Sequence, residues 1–111
     1  MELVANMYRL TRTWPNEELY GLTSQIRRAA VSVPSNIAEG FGRRATRDYL
    51  RMLSIAYASL LEVETQLQIA QMLGFIAQTA LDEALSLSGE SGRIINGLIT
   101  SLRSKSTHTA T

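Results

Sequence analysis

The sequence predicts an all-α fold, a single-domain antiparallel four-helix bundle with up-down-up-down connections. At 111 residues, with 45% hydrophobic and 19% charged residues, the chain has the size and balance of one folded domain. Apolar residues recur at steps of three and four along most of its length, which is the period of helices that bury one face. Proline and glycine divide these stretches into four segments with short connections, and such segments pack as antiparallel neighbours.

The first helix is expected from Glu2 to about Thr13. Its apolar side comprises Leu3, Val4, Met7, Tyr8 and Leu10. The helix should stop before Pro15, because proline disfavours the α conformation in the residue that precedes it. Asn16 then has the side chain and the position of an N-cap for the second helix.

The second helix has one apolar stripe that continues past a proline. The stripe comprises Leu19, Leu22, Ile26, Ala29, Val33, Ile37 and Phe41. Pro34 lies inside it and predicts a kink, because proline removes a backbone hydrogen bond. A break at Ser32-Val33 is the alternative. A kinked, continuous helix is preferred because the apolar register stays in phase beyond the proline, until Gly40 and Gly42 end it.

The third helix has more apolar surface than one neighbour would cover. Thr46 is expected to cap its start and Gly74 to end it. Its main stripe comprises Leu53, Ala56, Leu60, Val63, Leu67, Ala70 and Gly74. Further apolar area lies beside the stripe at Leu50, Tyr57, Leu61 and Met72. This width predicts burial on two sides, in the centre of the bundle or at an interface.

The fourth helix is expected to start near Thr79. Its core face comprises Leu81, Leu85, Ile95, Leu98, Ile99 and Leu102. The middle, from Ser86 to Gly92, is rich in serine and glycine, which lowers helix propensity and predicts a thin or locally mobile stretch without a chain break. The bundle should therefore span residues 1–103, and residues 104–111 should form a disordered tail because Ala110 is their one apolar residue.

Missing residue types exclude several kinds of chemistry. The chain has no cysteine, so it can form neither a disulfide nor a thiolate metal site. Its one histidine, His108, lies in the tail, which leaves no base for a Ser-His-Asp triad and no histidine pair for zinc or di-iron. We expect no enzyme activity, no cofactor and no metal. No apolar stretch approaches the roughly 20 residues that cross a bilayer, and we expect a cytoplasmic protein without membrane contact.

The net charge of +1 conceals an uneven distribution. Six arginines fall between residues 27 and 51, whereas residues 52–92 contain five acidic residues and no basic one. Four of the arginines are expected at the corner between the second and third helices and on the first turns of the third. These are Arg43, Arg44, Arg47 and Arg51, and Tyr49 lies close enough to stack on a base.

The cluster is consistent with more than one use. It has the chemistry of a phosphate-binding patch for RNA or DNA, because the planar guanidinium suits phosphates and the helix start adds positive potential. It also fits a solvated corner, or salt bridges to acidic residues of a neighbouring subunit. Four arginines and an overall pI near 8.2 leave these alternatives open.

The segment from Gln25 to Gly40 resembles the signature of the four-helix-bundle family named after the 23S rRNA intervening sequence protein. Its most specific part is the motif Pro34, Ser35, Asn36, Ile37, Ala38, Glu39 and Gly40. Trp14-Pro15 upstream and the third-helix stripe downstream extend the resemblance from about Leu3 to Leu102. Members of the family usually begin further upstream, so the first helix here is expected to be short and to leave part of the bundle groove uncovered.

The resemblance implies a cyclic homopentamer without enzymatic activity. The family is similar to the accessory protein of diversity-generating retroelements, which contacts nucleic acid and partners a reverse transcriptase. The sequence and the resemblance together favour a non-enzymatic oligomeric scaffold that binds RNA or DNA through its arginine-rich surface. The alternative is a structural protein–protein interaction module whose arginines make subunit contacts.

Overall fold

The structure, a computed structural model, describes residues 2–110, with side chains described from residue 2 to residue 105. It contains four helices: α1 (Glu2–Thr11), α2 (Leu22–Phe41), α3 (Thr46–Met72) and α4 (Gln78–Ala110). A short 3₁₀ segment, Asn16–Glu18, lies between α1 and α2. The described residues form no strand, and the predicted all-α four-helix fold is confirmed.

The four helices pack in a closed ring around one core. Helix α2 packs on α1 and α3, and α4 packs on α3 and α1, so α1 lies diagonally across from α3. The predicted stripe of α3 is buried from Leu53 to Ala70, while Gly74 lies beyond the helix. The largest fully buried side chains are Met7, Ile26, Leu53, Leu60, Leu67 and Ile95. Helix α3 thus packs on two neighbours, but of the apolar residues beside its stripe Leu61 and Met72 are exposed, so the burial of this wider surface stays a prediction.

Contacts between α2 and α3 pair the end of one helix with the beginning of the other. The Ser32 and Ser59 hydroxyls lie 2.8 Å apart near the middle, and Gly40 lies against Met52 close to the connection. These pairings are those of antiparallel neighbours. The up-down-up-down order of all four helices stays a prediction, which the pairings favour.

The connection from α1 to α2 differs from the prediction. Helix α1 ends at Thr11, and Trp14 then turns back into the core, where its ring lies 5.7 Å from that of Phe75. Asn16 starts the 3₁₀ segment and does not cap α2. Helix α2 begins at Leu22, after Gly21. The residues predicted for the first turn of α2 instead belong to the connection that buries Trp14.

Helix α2 continues through Pro34 without a break, as the apolar register indicates. The amide Nδ2 of Asn36 donates to the Ser32 carbonyl at 2.8 Å one turn earlier, so a side chain adds a hydrogen bond beside the proline. The predicted kink stays a prediction.

The ends of α3 show one wrong prediction and one confirmed one. Thr46 is the first residue of the helix and caps nothing, because the helix starts one residue earlier than a Thr46 cap would require. At the other end Gly74 adopts φ +80°. Its N–H donates to the Gln71 carbonyl at 3.0 Å, and that of Phe75 donates to the Ala70 carbonyl at 2.9 Å. This is a Schellman motif, which requires the left-handed conformation that glycine adopts most easily.

The serine- and glycine-rich middle of α4 is part of the packed interface with α3. Ser88 is fully buried, and its hydroxyl donates to a Glu64 carboxylate oxygen at 2.5 Å. A Cβ on Gly92 would lie 3.4 Å from the Leu60 side chain. The helix has no break here, as expected, and its small residues let α4 lie close to α3.

Helix α4 continues to Ala110, through most of the segment for which the sequence predicts disorder. Thr111 and the side chains from residue 106 onward, with that of His108, lie outside the described residues. The disordered tail therefore stays a prediction. Within the part of the chain that the structure describes, no helix has the length and apolarity needed to cross a membrane.

Helix lengths are unequal along the 55 Å long axis. At 1.5 Å per residue, α4 is about 50 Å long and α1 about 15 Å. An open apolar cleft of about 150 Å³ lies at the beginning of α1. Its lining comprises Leu3, Val4, Val33, Pro34, Ile37, Ser91 and Ile94.

Candidate nucleic-acid interface

The four arginines singled out in the sequence lie at the corner between α2 and α3, and all four side chains are exposed. We call this surface, Arg43, Arg44, Arg47 and Arg51, the arginine corner. Arg43 donates to Glu39 at 2.8 Å. The other three make no ion pair or hydrogen bond with the side chains that the structure describes. Three guanidinium groups at this corner are therefore available to an anion.

The corner is built by a close approach of α2 and α3 at Gly40. A Cβ at this position would lie 2.8 Å from Cβ of Met52 and 2.8 Å from Cδ1 of Tyr49, closer than side-chain carbons approach one another. Glycine is therefore the residue that lets α3 pass against the last turn of α2. This approach places the first two turns of α3, with Arg47 and Arg51, beside the end of α2.

A polar network holds the same two helices together one turn further from the corner. The Asn36 amide donates to the Ser32 hydroxyl at 2.8 Å, and this hydroxyl in turn lies 2.8 Å from that of Ser59. Ser59 is buried and Ser32 half-buried, so the network satisfies polar groups inside the α2–α3 interface. The motif from Pro34 to Gly40 thus contributes to the packing of α2 on α3 that positions the corner.

The remaining motif residues divide between the core and the surface. Ile37 packs against the core, Glu39 holds Arg43, and Ser35 and Ala38 are exposed. The described structure gives the motif a role in helix packing and in placing the corner.

The two aromatic residues at the corner, Phe41 and Tyr49, differ from the sequence prediction in their exposure. Tyr49 is half-buried and lies over Gly40, which limits its access to a base. Phe41, predicted to lie in the apolar stripe of α2, is instead 77% exposed. Its ring stands edge to face with that of Tyr49, at 6.2 Å and 89°.

Phe41 is exposed because of the register of α2. Its core line comprises Thr23, Ile26, Ala30, Val33, Ile37 and Gly40, at strictly alternating steps of three and four. Gly40 takes the last core position, and Phe41, one residue on, is rotated away by about 100°. Phe41 is thus a candidate binding residue that the sequence reasoning missed. The two successive steps of four at Val33, Ile37 and Phe41 were the signal that could have found it.

The start of α3 adds to the positive character of the corner. Ala45 precedes the helix and provides no side-chain cap, so the Thr46 and Arg47 N–H groups at the start of this 27-residue helix are open to an anion, although the first turn also contains Asp48. Further along, α3 changes sign, because its later turns contain Glu62 and Glu64. The helix is therefore basic at the corner and acidic towards its other end.

A second surface, between α1 and α2, also combines arginine with aromatic rings. The Arg27 guanidinium lies 4.7 Å from the Tyr8 ring centroid, and its Nε donates to the Thr11 hydroxyl at 2.8 Å. Arg27 is therefore already engaged in holding α1 on α2. Tyr20, 93% exposed, lies near it beside an open groove.

The described residues bring together no group of three or more histidine, cysteine, aspartate or glutamate side chains that could hold a metal ion. The clefts on the bundle are lined by apolar side chains, by scattered polar ones between α2 and α3, or by arginine and tyrosine side chains in the groove beside Tyr20. The arginine corner differs from that groove in having four exposed arginines, three of them without an ion-pair partner among the described side chains.

Comparisons with known proteins agree with this architecture. A crystal structure of a Bacteroides thetaiotaomicron protein of unknown function, from the S23 ribosomal protein family, is similar to the chain with a TM-score of 0.81. The two are 22% identical, and the match covers 88% of this chain and 92% of the other, so the similarity shows the fold. No curated protein matches the chain.

The family model described as 23S rRNA-intervening sequence protein matches residues 1–97. The match covers α1, α2, α3 and more than half of α4, including the motif from Pro34 to Gly40 and the whole arginine corner. The chain therefore belongs to the 23S rRNA-intervening sequence protein family.

Proposed function

We propose that this protein is a non-enzymatic, self-associating scaffold that binds RNA or DNA through the arginine corner. The observation that supports this most is the group Arg44, Arg47 and Arg51, three exposed guanidiniums without a carboxylate partner among the described side chains. Arginine in such a position suits the phosphate backbone, which supplies most of the sequence-independent affinity for nucleic acid.

The geometry adds two further supports. Arg47 and Arg51 lie one turn apart on the same face of α3, separated by about 6 Å along the axis. The Thr46 and Arg47 N–H groups, which have no acceptor among the described residues, lie at the same corner and attract anions through the helix dipole. A phosphate chain that follows the first turns of α3 would therefore meet both side-chain and backbone donors.

The proposal is tested by fluorescence anisotropy with a labelled RNA hairpin and a labelled DNA single strand. We expect the association constant to fall steeply between about 50 and about 200 mM salt. Arg47→Ala/Arg51→Ala should weaken binding and lower the log–log salt slope by about 0.7–0.9 for each phosphate that the variant no longer neutralises. The matched control, Arg9→Ala/Arg12→Ala, removes the same charge from exposed positions of α1 and its C-terminal turn and should change binding much less.

Two results would overturn the proposal that the arginine corner binds nucleic acid. One is the absence of binding to either probe at the lowest salt. The other is an equal loss of affinity in both double variants, since net charge alone would then explain the binding.

A purely structural interaction module is the second candidate, and exposed apolar side chains favour it. Leu61 (47%), Ile69 (41%) and Met72 (81%) are all exposed on α3. If the arginines make subunit contacts instead of phosphate contacts, Arg47→Ala/Arg51→Ala should lower the mass measured by light scattering. Nucleic-acid binding would then be absent at every salt concentration.

A further inference from the structure

Phe41 stands out among the residues of the arginine corner. Of the exposed residues from 38 to 51, it is the one large apolar side chain, and four of the others are arginines. The remaining exposed residues in this range are Ala38, Glu39, Gly42, Ala45 and Thr46. Within this stretch Phe41 therefore has mainly small residues and cations as its exposed neighbours in sequence, and no exposed aliphatic side chain larger than alanine with which it could form an apolar protein contact.

The fold does not need the Phe41 ring for its core. Gly40 takes the last core position of α2, and the Phe41 side chain remains 77% exposed. Its aromatic contact is with Tyr49, at an interplanar angle of 89°. In a perpendicular arrangement the two rings do not stack, so this contact leaves ring face open for another flat group.

The Phe41 ring lies near arginine residues in the chain, in a position suited to stacking on a base. Arg43 and Arg44 follow Phe41 within three residues, and the half-buried Tyr49 supports the ring from the first turn of α3. A phosphate held by Arg44 or Arg47 would bring its own base or a neighbouring one within reach of the ring. Aromatic faces next to cationic side chains are how proteins hold unpaired bases without reading their sequence.

We infer that Phe41 stacks on an unpaired base and that the arginine corner therefore prefers single-stranded nucleic acid to a duplex. This rests on the proposed function, because the ring acts on a strand that the arginines already hold. Bases in a duplex are stacked on one another, and their faces are closed to a side chain that does not unstack them. The arginines contact phosphates of either form, so the preference depends on Phe41.

The experiment compares three fluorescein-labelled DNA probes of about 12 nucleotides: an oligothymidine strand, the matching duplex and an abasic strand with the same phosphates. Wild-type protein should bind the thymidine strand about 10-fold more tightly than the abasic strand. Phe41→Leu should lose about this factor on the thymidine strand and nothing on the abasic one. Its salt slope should stay unchanged, because every phosphate contact remains in place.

Tyr20→Leu is the matched control. Tyr20 is 93% exposed and precedes α2, whereas Phe41 ends it, so the two rings lie about 30 Å apart along the helix. This variant should bind all three probes as wild type does. Light scattering on each variant should give the wild-type mass.

Several outcomes would overturn the inference while leaving the proposed function in place. They are equal binding of the thymidine and abasic strands by wild type, an equal effect of Tyr20→Leu, and a loss of affinity in Phe41→Leu that accompanies a fall in mass. The proposed function fails differently, because none of the probes would then bind or Arg47→Ala/Arg51→Ala would bind like wild type.

Discussion

Gly40 is the residue on which the arginine corner depends most directly. Replacing it with alanine would put a methyl group 2.8 Å from Cβ of Met52 and from a ring carbon of Tyr49. The overlap with Met52 is with the stem of a side chain on a packed helix, so relief requires α2 and α3 to separate. Overpacking of this kind costs about 1–3 kcal/mol, which exceeds the gain of about 1 kcal/mol in helix propensity.

We therefore expect Gly40→Ala to lower the free energy of unfolding and to shift the urea midpoint downward at an unchanged slope. Gly97→Ala is the matched control, since it is a glycine in α4 with nothing within 4 Å of its added Cβ. This change should raise the urea midpoint, because it should increase the free energy of unfolding by up to about 1 kcal/mol. A rise in both variants would show that α2 and α3 are not closely packed at Gly40.

At the scale of the elements, α1 is held by a single cationic side chain and its apolar face. With 10 residues it is shorter than the roughly 12–15 at which isolated helices become even marginally stable. Its stability must therefore come from packing, to which Arg27 contributes through the Tyr8 ring and the Thr11 hydroxyl. Together these two contacts are worth about 1–2 kcal/mol.

Arg27→Ala should increase the rate of amide hydrogen exchange in α1 while exchange in the middle of α3 stays slow. The neighbouring Arg28 is exposed and has no contact of this kind, so Arg28→Ala should leave α1 protected. Equal exchange in α1 for both variants would show that the cation is unimportant there. Faster exchange throughout α3 would show that α1 is not an independent unit.

Elements with a strong period were predictable, and those decided by tertiary contacts were not. The spacing predicts α3 almost to the residue, because its stripe from Leu53 to Ala70 reports burial directly and Gly74 has the conformation that ends a helix. The start of α2 was missed because burying Trp14 redirects the chain before Leu22. Phe41 was misplaced because Gly40 has no side chain and so gives no hydrophobic signal at the core position it occupies.

The same distinction applies to the candidate site. Its arginines were evident from composition and from a helix start near Thr46, both of which are local properties. Their lack of ion pairs and the exposure of Phe41 depend on what lies opposite each side chain after folding. Sequence spacing carries no information of this kind.

At the scale of the whole molecule, the outer face of α3 is the surface we expect to drive self-association. This face has residues at steps of four, four and three, all of them exposed: Leu61, Thr65, Ile69 and Met72. The packing of α2 and α4 on α3 leaves this face uncovered within the chain. The assembly we propose is the cyclic pentamer, made of copies of the 12.3 kDa chain.

Ile69→Glu should lower the mass measured by multi-angle light scattering towards that of a single chain, because a charge would have to be buried at the interface. Asn96→Asp is the control, since it adds the same charge at an exposed position of α4, away from the outer face of α3. The helical circular dichroism of both variants should match wild type. A wild-type mass of one chain, or an equal effect of the two substitutions, would contradict the proposal.

The ring in which the helices pack also has a consequence for how the chain folds. Three of the four neighbouring pairs, α1–α2, α2–α3 and α3–α4, are consecutive in sequence, and α1–α4 is the one that joins distant segments. The contact between α1 and α4 therefore accounts for most of the entropy lost in loop closure and should form late. The α2–α3 hairpin, in contrast, closes a connection of only a few residues. Such local topology is typical of rapid folding. The arginine corner lies at the bend of that hairpin, so we expect its geometry to form before α1 and α4 come together.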